Sequence, residues 1–294
     1  YVDCTLGRGG HSSEILKRCT KGHLYALDCD QTAIDQSTTR LARVGSNFTC
    51  IHTPYEKLNE VLDAQGVGKV DGIIMDLGVS SPQFDDGTRG FSYRSDARLD
   101  MRMDQSQTLD AWTVVNTYSQ EELTRLLKQY GQEPFAYKIA ASIVSRRAEH
   151  TIDTTFELVD LIKSVLPQKV LNKKGHPAKR SFQAIRMEVN GELDQLQVAL
   201  EAGIHRLKPG GRLCVITFHS LEDRLVKNAF KAVATPKKVD RRLPATGIEV
   251  LEYRFINKKP IIASDEELAA NKRSHSAKLR GIERIRESAN EEKK

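Results

Sequence analysis

The chain has 294 residues and a net charge of +6, from 45 Lys and Arg against 39 Asp and Glu. At about 100 to 200 residues per domain, this length predicts two domains or one domain with an insertion. Its five scattered cysteines include no Cys-x-x-Cys pair, which excludes a disulfide framework or a zinc ribbon and leads us to expect no metal site. No apolar stretch approaches the about 18 residues of a membrane span and no signal peptide is visible, so we expect a cytoplasmic protein without a membrane partner.

Short β-type runs alternate with amphipathic stretches in the first quarter of the chain. After an apolar start, the runs are 23–28, 47–52 and 70–76, with helical spacing of apolar residues at 31–44 and 55–65. Strand–helix–strand alternation predicts a parallel sheet joined by right-handed crossovers. The sequence begins at Tyr1 and not at Met, so we expect an upstream segment.

After Asp76 the pattern changes. Residues 78–107 are rich in Gly, Ser, Asp and Arg and predict a long functional loop. Helical stretches follow at 121–130, 135–148 and 155–166, then a basic linker to residue 180 and a long helix at 182–207 that ends at Lys208-Pro209-Gly210-Gly211. A strand at 212–218, a helix opened by Ser220 and an irregular basic tail with a last helix at 279–288 complete the chain. We therefore predict an α/β domain (1–105 and 181–294) interrupted by a helical insertion (106–180).

A glycine-rich turn separates the first strand from the first helix. Glycines permit positive φ and close approach to a ligand, and the helix start offers free N–H groups to an anion. The turn has the spacing Gly7-x-Gly9-Gly10, with Asp3 four residues before Gly7. This spacing resembles the Asp-x-Gly-x-Gly-x-Gly loop of S-adenosylmethionine (SAM) methyltransferases, except that Thr5 stands in place of the first glycine. It differs from the Gly-x-Gly-x-x-Gly that a nicotinamide dehydrogenase needs. Asp28 lies at the end of the next strand, where a carboxylate suits the two hydroxyls of a ribose. The alternative for the glycine-rich turn is a plain strand-to-helix connection that binds no ligand.

Ser80, Ser81, Pro82 and Gln83 leave the strand that ends at Asp76, on the side where open α/β sheets bind ligands. They partly resemble the (Asp, Asn or Ser)-Pro-Pro-aromatic loop of enzymes that methylate exocyclic amines. The lone pair of such an amine is delocalised into the ring, and polar acceptors on its N–H groups favour the nucleophilic form. No Pro-Cys occurs in the chain, which disfavours methylation of cytosine carbon through a cysteine nucleophile.

Several unusual strings occur together in one order. They are Gly7-Arg-Gly-Gly-His-Ser12, Asp76-Leu-Gly-Val-Ser-Ser-Pro-Gln83, Arg89-Gly-Phe-Ser92, Leu99-Asp-Met-Arg-Met-Asp104, Phe182-Gln-Ala-Ile-Arg186, Val189-Asn-Gly-Glu192 and Phe218-His-Ser-Leu-Glu-Asp-Arg224. Through these strings the chain resembles the bacterial small-subunit ribosomal RNA cytosine-N4 methyltransferase family (MraW-like). The resemblance extends over essentially the whole chain. The resemblance implies a Rossmann-like SAM-dependent methyltransferase sheet with an inserted all-helical domain. It also implies an upstream element resembling His-x-Pro-Val.

The same resemblance implies an activity and a set of site residues. The activity is transfer of one methyl group from SAM to N4 of a cytidine in the decoding region. The residues implied for SAM are Gly9, Gly10, His11, Asp28, Tyr55, Asp76 and Gln83. Our candidates for the chemistry are Ser80, Ser81 and Pro82, which would orient the amine, and His219, which would take the released proton or contact the base. Helix capping is the alternative for His11 and for Ser220, and packing is the alternative for Tyr55.

Three basic clusters favour a polyanionic substrate, because Lys and Arg neutralise phosphates. They are Lys173, Lys174, Lys179 and Arg180; Lys237, Lys238, Arg241 and Arg242; and Lys272, Arg273, Lys278 and Arg280. Arg89, Arg98 and Arg102 either contact phosphates or pair with neighbouring aspartates. The expected partner is small-subunit ribosomal RNA or the assembled small subunit; the oligomeric state is left open. A DNA amino-methyltransferase and a SAM-binding ribosome-assembly factor without turnover are the alternatives.

Overall fold

The computed structural model describes residues 1–236 and 251–287. Its contacts divide the chain into two compact units. The first, which we call the sheet unit, comprises Tyr1–Gly78 and Leu193–Lys294; the second, the helical unit, comprises Val79–Glu192. Among the described residues, no helix is long and apolar enough to cross a membrane.

The sheet unit alternates strands and helices. In chain order these are β1 Val2–Asp3, α1 Gly10–Arg18, β2 Leu24–Asp28, α2 Gln31–Leu41, β3 Phe48–His52, α3 Leu58–Ala64 and β4 Val70–Asp76. The helical unit follows β4 and contains the next seven helices, whose ranges are given below. The helix after them starts at the last residue of that unit, Glu192. The sheet unit continues with α11 Glu192–His205, β5 Leu207–Thr217, α12 Ser220–Ala234, β6 Tyr253–Phe255, β7 Ile261–Ile262, α13 Asp265–Ala270 and β8 Lys278–Arg284. The predicted α/β class is confirmed.

The strands form one sheet in the order β3-β2-β1-β4-β5-β8-β6, with β7 also paired to β8. The first five in that order are parallel, whereas β8 runs antiparallel to β5. Two hydrophobic clusters hold helices against the sheet; Val2, Leu27 and Met75 belong to the larger one and are fully buried. These strands form where short apolar runs can be buried on both faces of a parallel sheet.

β1 lies between β2 and β4, with Asp3 in register with Ala26 on one side and Ile74 on the other. The chain therefore leaves β1 toward one side and returns on the other, which is the crevice-forming arrangement of open α/β sheets. Because the three strands are parallel, their carboxyl ends meet at one edge. Asp3, Asp28 and Asp76 are the last residues of these strands.

The predicted helix 182–207 is two helices. α10 (Lys179–Asn190) ends at Gly191, whose φ of 58° is left-handed, and α11 begins at Glu192. Glycine adopts this conformation at little cost, so it ends the first helix there. The Lys208-Pro209-Gly210-Gly211 segment, predicted as a helix stop, lies inside β5. The register of β5 against β4 shifts at this point, so the two glycines lie at an irregularity of the strand that resembles a β-bulge.

The prediction of a last helix at 279–288 is also wrong for residues 279–287, the part of that range that the structure describes. Residues 278–284 form β8, which pairs with β5 from Arg212 to Thr217. The free edge of β5 offers unpaired backbone groups, and pairing with this edge outweighs a helix-like spacing of apolar residues. A side chain at Gly281 would come 2.9 Å from Ile256 Cδ1, so the β8 backbone is closely covered there.

The helical unit contains α4 Ser81–Asp85, α5 Ala111–Thr117, α6 Gln120–Gln129, α7 Ala136–Glu149, α8 Thr155–Val165, α9 Gln168–Leu171 and α10. The predicted loop 78–107 is mostly irregular, but it is packed and not free. Its side chains Phe91, Leu99 and Met101 are buried with the helices in one cluster, and Asn190 Nδ2 donates to the Met101 carbonyl at 2.8 Å. The loop therefore belongs to the helical unit, whose limits of 79 and 192 lie outside the predicted insertion at 106–180.

Candidate functional site

The turn after β1 brings backbone N–H groups to the carboxyl edge of the sheet. Gly7 and Gly9 have φ of 49° and 71°, which side-chain-bearing residues rarely adopt. Gly9 precedes α1, and no side chain caps this helix and no acidic residue lies in its first turn. Gly10 and His11, the first two helical residues, are exposed. The positive end of α1 is therefore open to a negatively charged group.

Asp3 holds this turn in place. Its carboxylate is fully buried, accepts the Thr5 N–H at 3.1 Å and accepts the Ser12 hydroxyl at 2.7 Å. Burial raises the pKa of Asp3. Thr5 Oγ1 in turn accepts the Asp76 N–H at 2.7 Å, which ties the turn to the end of β4. Asp3 was predicted as part of the glycine-rich motif, whereas the roles of Thr5 and Ser12 follow only from these hydrogen bonds.

Asp28 ends β2 beside the same turn. Its Oδ2 accepts the Gly7 N–H at 2.8 Å and its Oδ1 accepts the Asp30 N–H at 2.9 Å. Burial raises the pKa of Asp28 to about 6, against the opposing effect of these two hydrogen bonds. Each carboxylate oxygen has two lone pairs, so each keeps one acceptor position for a ligand hydroxyl.

Asp76, at the end of β4, faces His11. Their side chains approach to 3.2 Å between Nε2 and Oδ2, and this hydrogen bond is the main cause that raises the pKa of His11. The other oxygen, Oδ1, is buried and has no hydrogen-bond partner among the described residues. An unsatisfied buried acceptor is uncommon and is accounted for when a ligand supplies the donor.

Tyr55 follows β3 and begins a short 3₁₀ helix that ends at Lys57. Its side chain is half-buried and packs against the larger core cluster of the sheet unit. The packing alternative therefore describes what the ring does in this structure. Contact of Tyr55 with SAM stays a prediction.

Ser80, Ser81, Pro82 and Gln83 all lie in the helical unit, at the start of α4. Ser80 and Gln83 form a capping box, in which the Ser80 N–H donates to Gln83 Oε1 at 3.0 Å. Gln83 is buried, whereas Ser81 is exposed and has no hydrogen-bond partner among the described side chains. The predicted site residues thus fall into two groups: Gly9, Gly10, His11, Asp28, Tyr55, Asp76 and His219 in the sheet unit, and these four in the helical unit.

His219 is the N-cap of α12, the role that sequence analysis had offered for Ser220. Its Nδ1 accepts the Glu222 N–H at 3.3 Å, and its Nε2 lies 3.0 Å from Glu222 Oε1. Glu222 Oε2 also accepts the Phe218 N–H at 2.8 Å. Nδ1 thereby holds the turn between β5 and α12, whereas Nε2 is buried beside Glu222 and has no hydrogen-bond partner among the described residues.

The three loop arginines have protein partners. Arg89 is buried and donates to the Arg102 and Met103 carbonyls at 2.9 and 3.0 Å. Arg98 pairs with Asp110 at 2.7 Å, and Arg102 pairs with Asp100 at 2.7 Å. Arg102 thus pairs with a neighbouring aspartate of the loop and Arg98 with Asp110 just beyond it, whereas Arg89 is held by backbone carbonyls.

The basic clusters differ from one another. In the C-terminal cluster, Arg280 and Lys278 pair with Asp223 at 2.7 and 3.4 Å. In the cluster near residue 176, Lys173, Lys174 and Lys179 are exposed, and within the described ranges they form no ion pair. The third cluster, at 237–242, lies outside the described residues. Of the two clusters within the described residues, the one near residue 176 therefore has three exposed lysines without an ion pair, whereas Lys278 and Arg280 of the other are held by Asp223.

Curated relatives match this chain over nearly its whole length. Two curated relatives, from Exiguobacterium sibiricum and Oenococcus oeni, are 52% identical over 289 residues and 50% identical over 287 residues. The matches cover 98% and 97% of this chain and 93% and 91% of the relatives, and both are named ribosomal RNA small subunit methyltransferase H. A solved rRNA methylase from Streptococcus thermophilus matches 97% of this chain and 86% of its own, with 11% identity and a TM-score of 0.42. The model of the MraW methylase family matches residues 1–285, and with relatives at half identity it shows that this chain belongs to that family.

Proposed function

We propose that the protein is a SAM-dependent methyltransferase that transfers one methyl group to N4 of a cytidine in the decoding region of small-subunit ribosomal RNA. Membership of the methylase family and the names of the relatives support this activity. The observation in the structure that carries it is the pairing of the glycine turn with Asp28 at adjacent strand ends.

The residues at this edge fit SAM in their donors and acceptors. The two open acceptor positions of Asp28 match a pair of ribose hydroxyls. The uncapped start of α1, at Gly9 and Gly10, suits the carboxylate of the methionine end. The buried Asp76 Oδ1 lacks a donor among the described residues, and the ammonium of the same end supplies one. His11, hydrogen-bonded to the other oxygen, holds the Asp76 carboxylate in place.

SAM supplies an electrophilic methyl group when it is bound. The protein has then to orient the cytosine amine and hold the reacting atoms in line. Ser81 is the strongest of our candidates for accepting an amine N–H, because its hydroxyl is exposed and unpaired whereas Ser80 is used in the capping box. Pro82 fixes the backbone of the same turn. Tyr55 and Gln83 remain proposed SAM contacts.

His219 fits a positioning role better than a proton transfer. Its Nδ1 already accepts a backbone hydrogen bond, and its Nε2 is buried beside Glu222, away from solvent. We assign it to holding the turn at the carboxyl end of β5. No proton step is assigned to it.

The proposed partner is small-subunit ribosomal RNA, naked or in the assembled subunit. The net charge of +6 and the exposed lysines of the helical unit suit a polyanion. An enzyme with this substrate works in the cytoplasm, where ribosomes assemble, and we propose that location.

The test combines the protein, SAM and small subunits from a strain that lacks the modification. Nucleosides from the digested RNA are then measured by mass spectrometry. We expect N4-methylcytidine with the wild type and a large loss with Asp76→Asn. Asp71→Asn is the matched control, because Asp71 lies at the other end of β4, is exposed and forms an exposed ion pair with Lys208.

Two outcomes would replace this proposal. Transfer to duplex DNA but to neither form of ribosomal RNA would favour a DNA amino-methyltransferase. SAM binding without transfer to any nucleic acid would favour an assembly factor without turnover.

A further inference from the structure

The helical unit carries a stacked aromatic pair that the proposed reaction does not use. The rings of Tyr93 and His176 are 4.2 Å apart between centroids, with an angle of 14° between their planes. Phe182 meets Tyr93 edge to face at 5.8 Å and 89°. Phe182 is buried in the helical core, whereas Tyr93 and His176 are each half-buried. The pair is thus a flat aromatic surface supported from the core and partly open to solvent.

This surface is held in one geometry. His176 Nδ1 accepts the Ala178 N–H at 3.3 Å, which fixes the imidazole at the turn before α10. Tyr93 packs against the apolar cluster of the helical unit. Because both rings are already ordered, little conformational entropy is lost when a ligand stacks on them.

Two cations lie close to the pair, and three lysines are near it along the chain. The Arg94 guanidinium lies 6.0 Å from the centre of the Tyr93 ring. Burial, and then the charges of Lys163 and Arg94, lower the pKa of His176, so the ring is neutral at pH 7. Lys173, Lys174 and Lys179 lie within three residues of His176 along the chain. Over the two described ranges, neither these three lysines nor Arg94 forms an ion pair with a carboxylate.

A purely structural latch would explain the stack but not the charges. A loop that only packs needs no unpaired cations, and isolated lysines need no ordered neutral ring beside them. An acidic peptide would use the cations without the flat surface. Nucleic acid uses both, because phosphates take the cations and every base has a π face that stacks on an aromatic ring.

We propose that the Tyr93–His176 pair is a stacking platform for an unpaired nucleotide of the RNA substrate, with Arg94, Lys173, Lys174 and Lys179 neutralising the flanking phosphates. The platform rests on the proposed function, since ribosomal RNA is the polyanion that the protein would meet. It adds a contact outside the strand ends that hold SAM. Its preference is for single-stranded RNA, because bases within a duplex have no free face.

The experiment measures binding of a fluorescein-labelled single-stranded 16-nucleotide RNA rich in cytidine, by fluorescence anisotropy, with a 16-base-pair RNA duplex in parallel. We expect His176→Ala to raise the Kd for the single strand about tenfold, the effect of losing one stacked base. His176→Phe restores a flat ring and should recover most of the affinity. Tyr137→Ala, at an exposed aromatic of the same unit outside the pair, should change nothing.

A second pair of variants tests the charges. Lys173→Gln with Lys174→Gln should lower the slope of log Kd against log salt by about 1.4, because each phosphate contact to a single strand contributes about 0.7. Lys128→Gln with Lys138→Gln removes the same charge from α6 and α7, and we expect the slope to stay near the wild-type value. Thermal melts of all variants show whether each one is folded.

The outcomes separate the platform from the methyltransferase proposal. Unchanged RNA binding by folded His176→Ala, with normal N4 methylation by the wild type, would overturn the platform alone. Equal weakening of single strand and duplex would also overturn it, in favour of phosphate contacts without stacking. If the wild type binds assembled subunits but no naked RNA, and His176→Ala binds them equally well, the pair does not contribute to substrate binding and the platform is overturned. Failure of the wild type to bind RNA or to methylate subunits would contradict both proposals.

Discussion

Asp28 is the residue on which the cofactor proposal depends most. Its two oxygens each accept one backbone N–H, at 2.8 and 2.9 Å, which favours the charged form. Burial opposes this and prevails, so the pKa of Asp28 rises to about 6. The carboxylate is therefore oriented by the turn and the following helix while it is poorly solvated. Such a group gains most from two hydroxyl donors supplied by a ligand.

Asp28→Asn should raise the Kd for SAM about 10- to 100-fold, since hydrogen bonds to a charged group contribute about 1.5 to 3 kcal/mol. The amide keeps the shape of the side chain but presents a donor where the carboxylate has an acceptor. Isothermal titration calorimetry measures the change. Asp35→Asn, at an exposed position of α2, should bind SAM like the wild type. Equal affinity of Asp28→Asn and the wild type would contradict this placement of the ribose.

SAM affinity should also depend on pH through Asp28. The ionised carboxylate is the form that accepts the hydroxyls, and with a pKa of about 6 it is fully present at pH 8. Affinity should therefore fall as the pH drops through 6, because protons compete with the ligand. His11, whose pKa is raised from 6.5, changes charge at higher pH, so its effect would be on the alkaline side. Titrations from pH 5 to 8 should show the acid limb in the wild type, and a limb of equal size in Asp28→Asn would rule out Asp28 as its source.

At the scale of the elements, local patterns predicted the strands β2, β3 and β4 to within about a residue. Each is a short apolar run bounded by polar or glycine residues, and burial in the sheet agrees with that preference. The strand β8 could not be predicted in this way. Leu279, Ile282 and Ile285 recur every three residues, which favours a helix, and only the open edge of β5 selects a strand.

The candidate site was predictable where its residues lie at strand ends. The glycine turn, Asp28 and Asp76 follow apolar runs directly, so topology alone places them at one edge. Contacts between distant residues were not predictable. The Thr5–Asp76 hydrogen bond joins residues 71 apart, and the capping of α12 by His219 depends on how Glu222 folds back. Whether the residues of α4 contact the substrate stays a prediction.

The ion pair between β8 and α12 should contribute to stability and not to RNA binding. Arg280 and Asp223 are both mostly buried and lie 2.7 Å apart, so Arg280→Gln removes the nearer of the two cations that pair with Asp223 and leaves only Lys278, at 3.4 Å. We expect a loss of about 2 kcal/mol in the free energy of unfolding, measured with urea. Lys272→Gln, at an exposed neighbouring position, should have little effect. A stable Arg280→Gln protein whose RNA binding loses salt dependence would show that Arg280 contacts phosphate instead.

At the scale of the whole molecule, each unit has a hydrophobic core of its own. Leu27, Met75 and Val215 are buried in the sheet unit, and Leu123, Ile139 and Phe182 are buried in the helical unit. The strand ends proposed for SAM lie in the first unit, and the stacked aromatic pair lies in the second. Apart from Gln83, the residues proposed for SAM and the aromatic pair proposed for RNA thus lie in separately packed parts of the chain. Two cores allow the stability of one unit to change without an equal change in the other.

SAM should therefore protect the sheet unit selectively. At a concentration 100 times its Kd, a ligand stabilises the form that binds it by about 2.7 kcal/mol. Hydrogen–deuterium exchange with and without SAM should show slower exchange in residues 5–13, at Asp28 to Asp30 and near Asp76, with little change in α5 to α8. Slower exchange in α4 would report a contact with Gln83. The Asp28→Asn protein at the same SAM concentration should lose most of this protection. Equal slowing in both units, including α5 to α8, would mean that they open as one cooperative body, and the division of roles would then have to be tested by mutation alone.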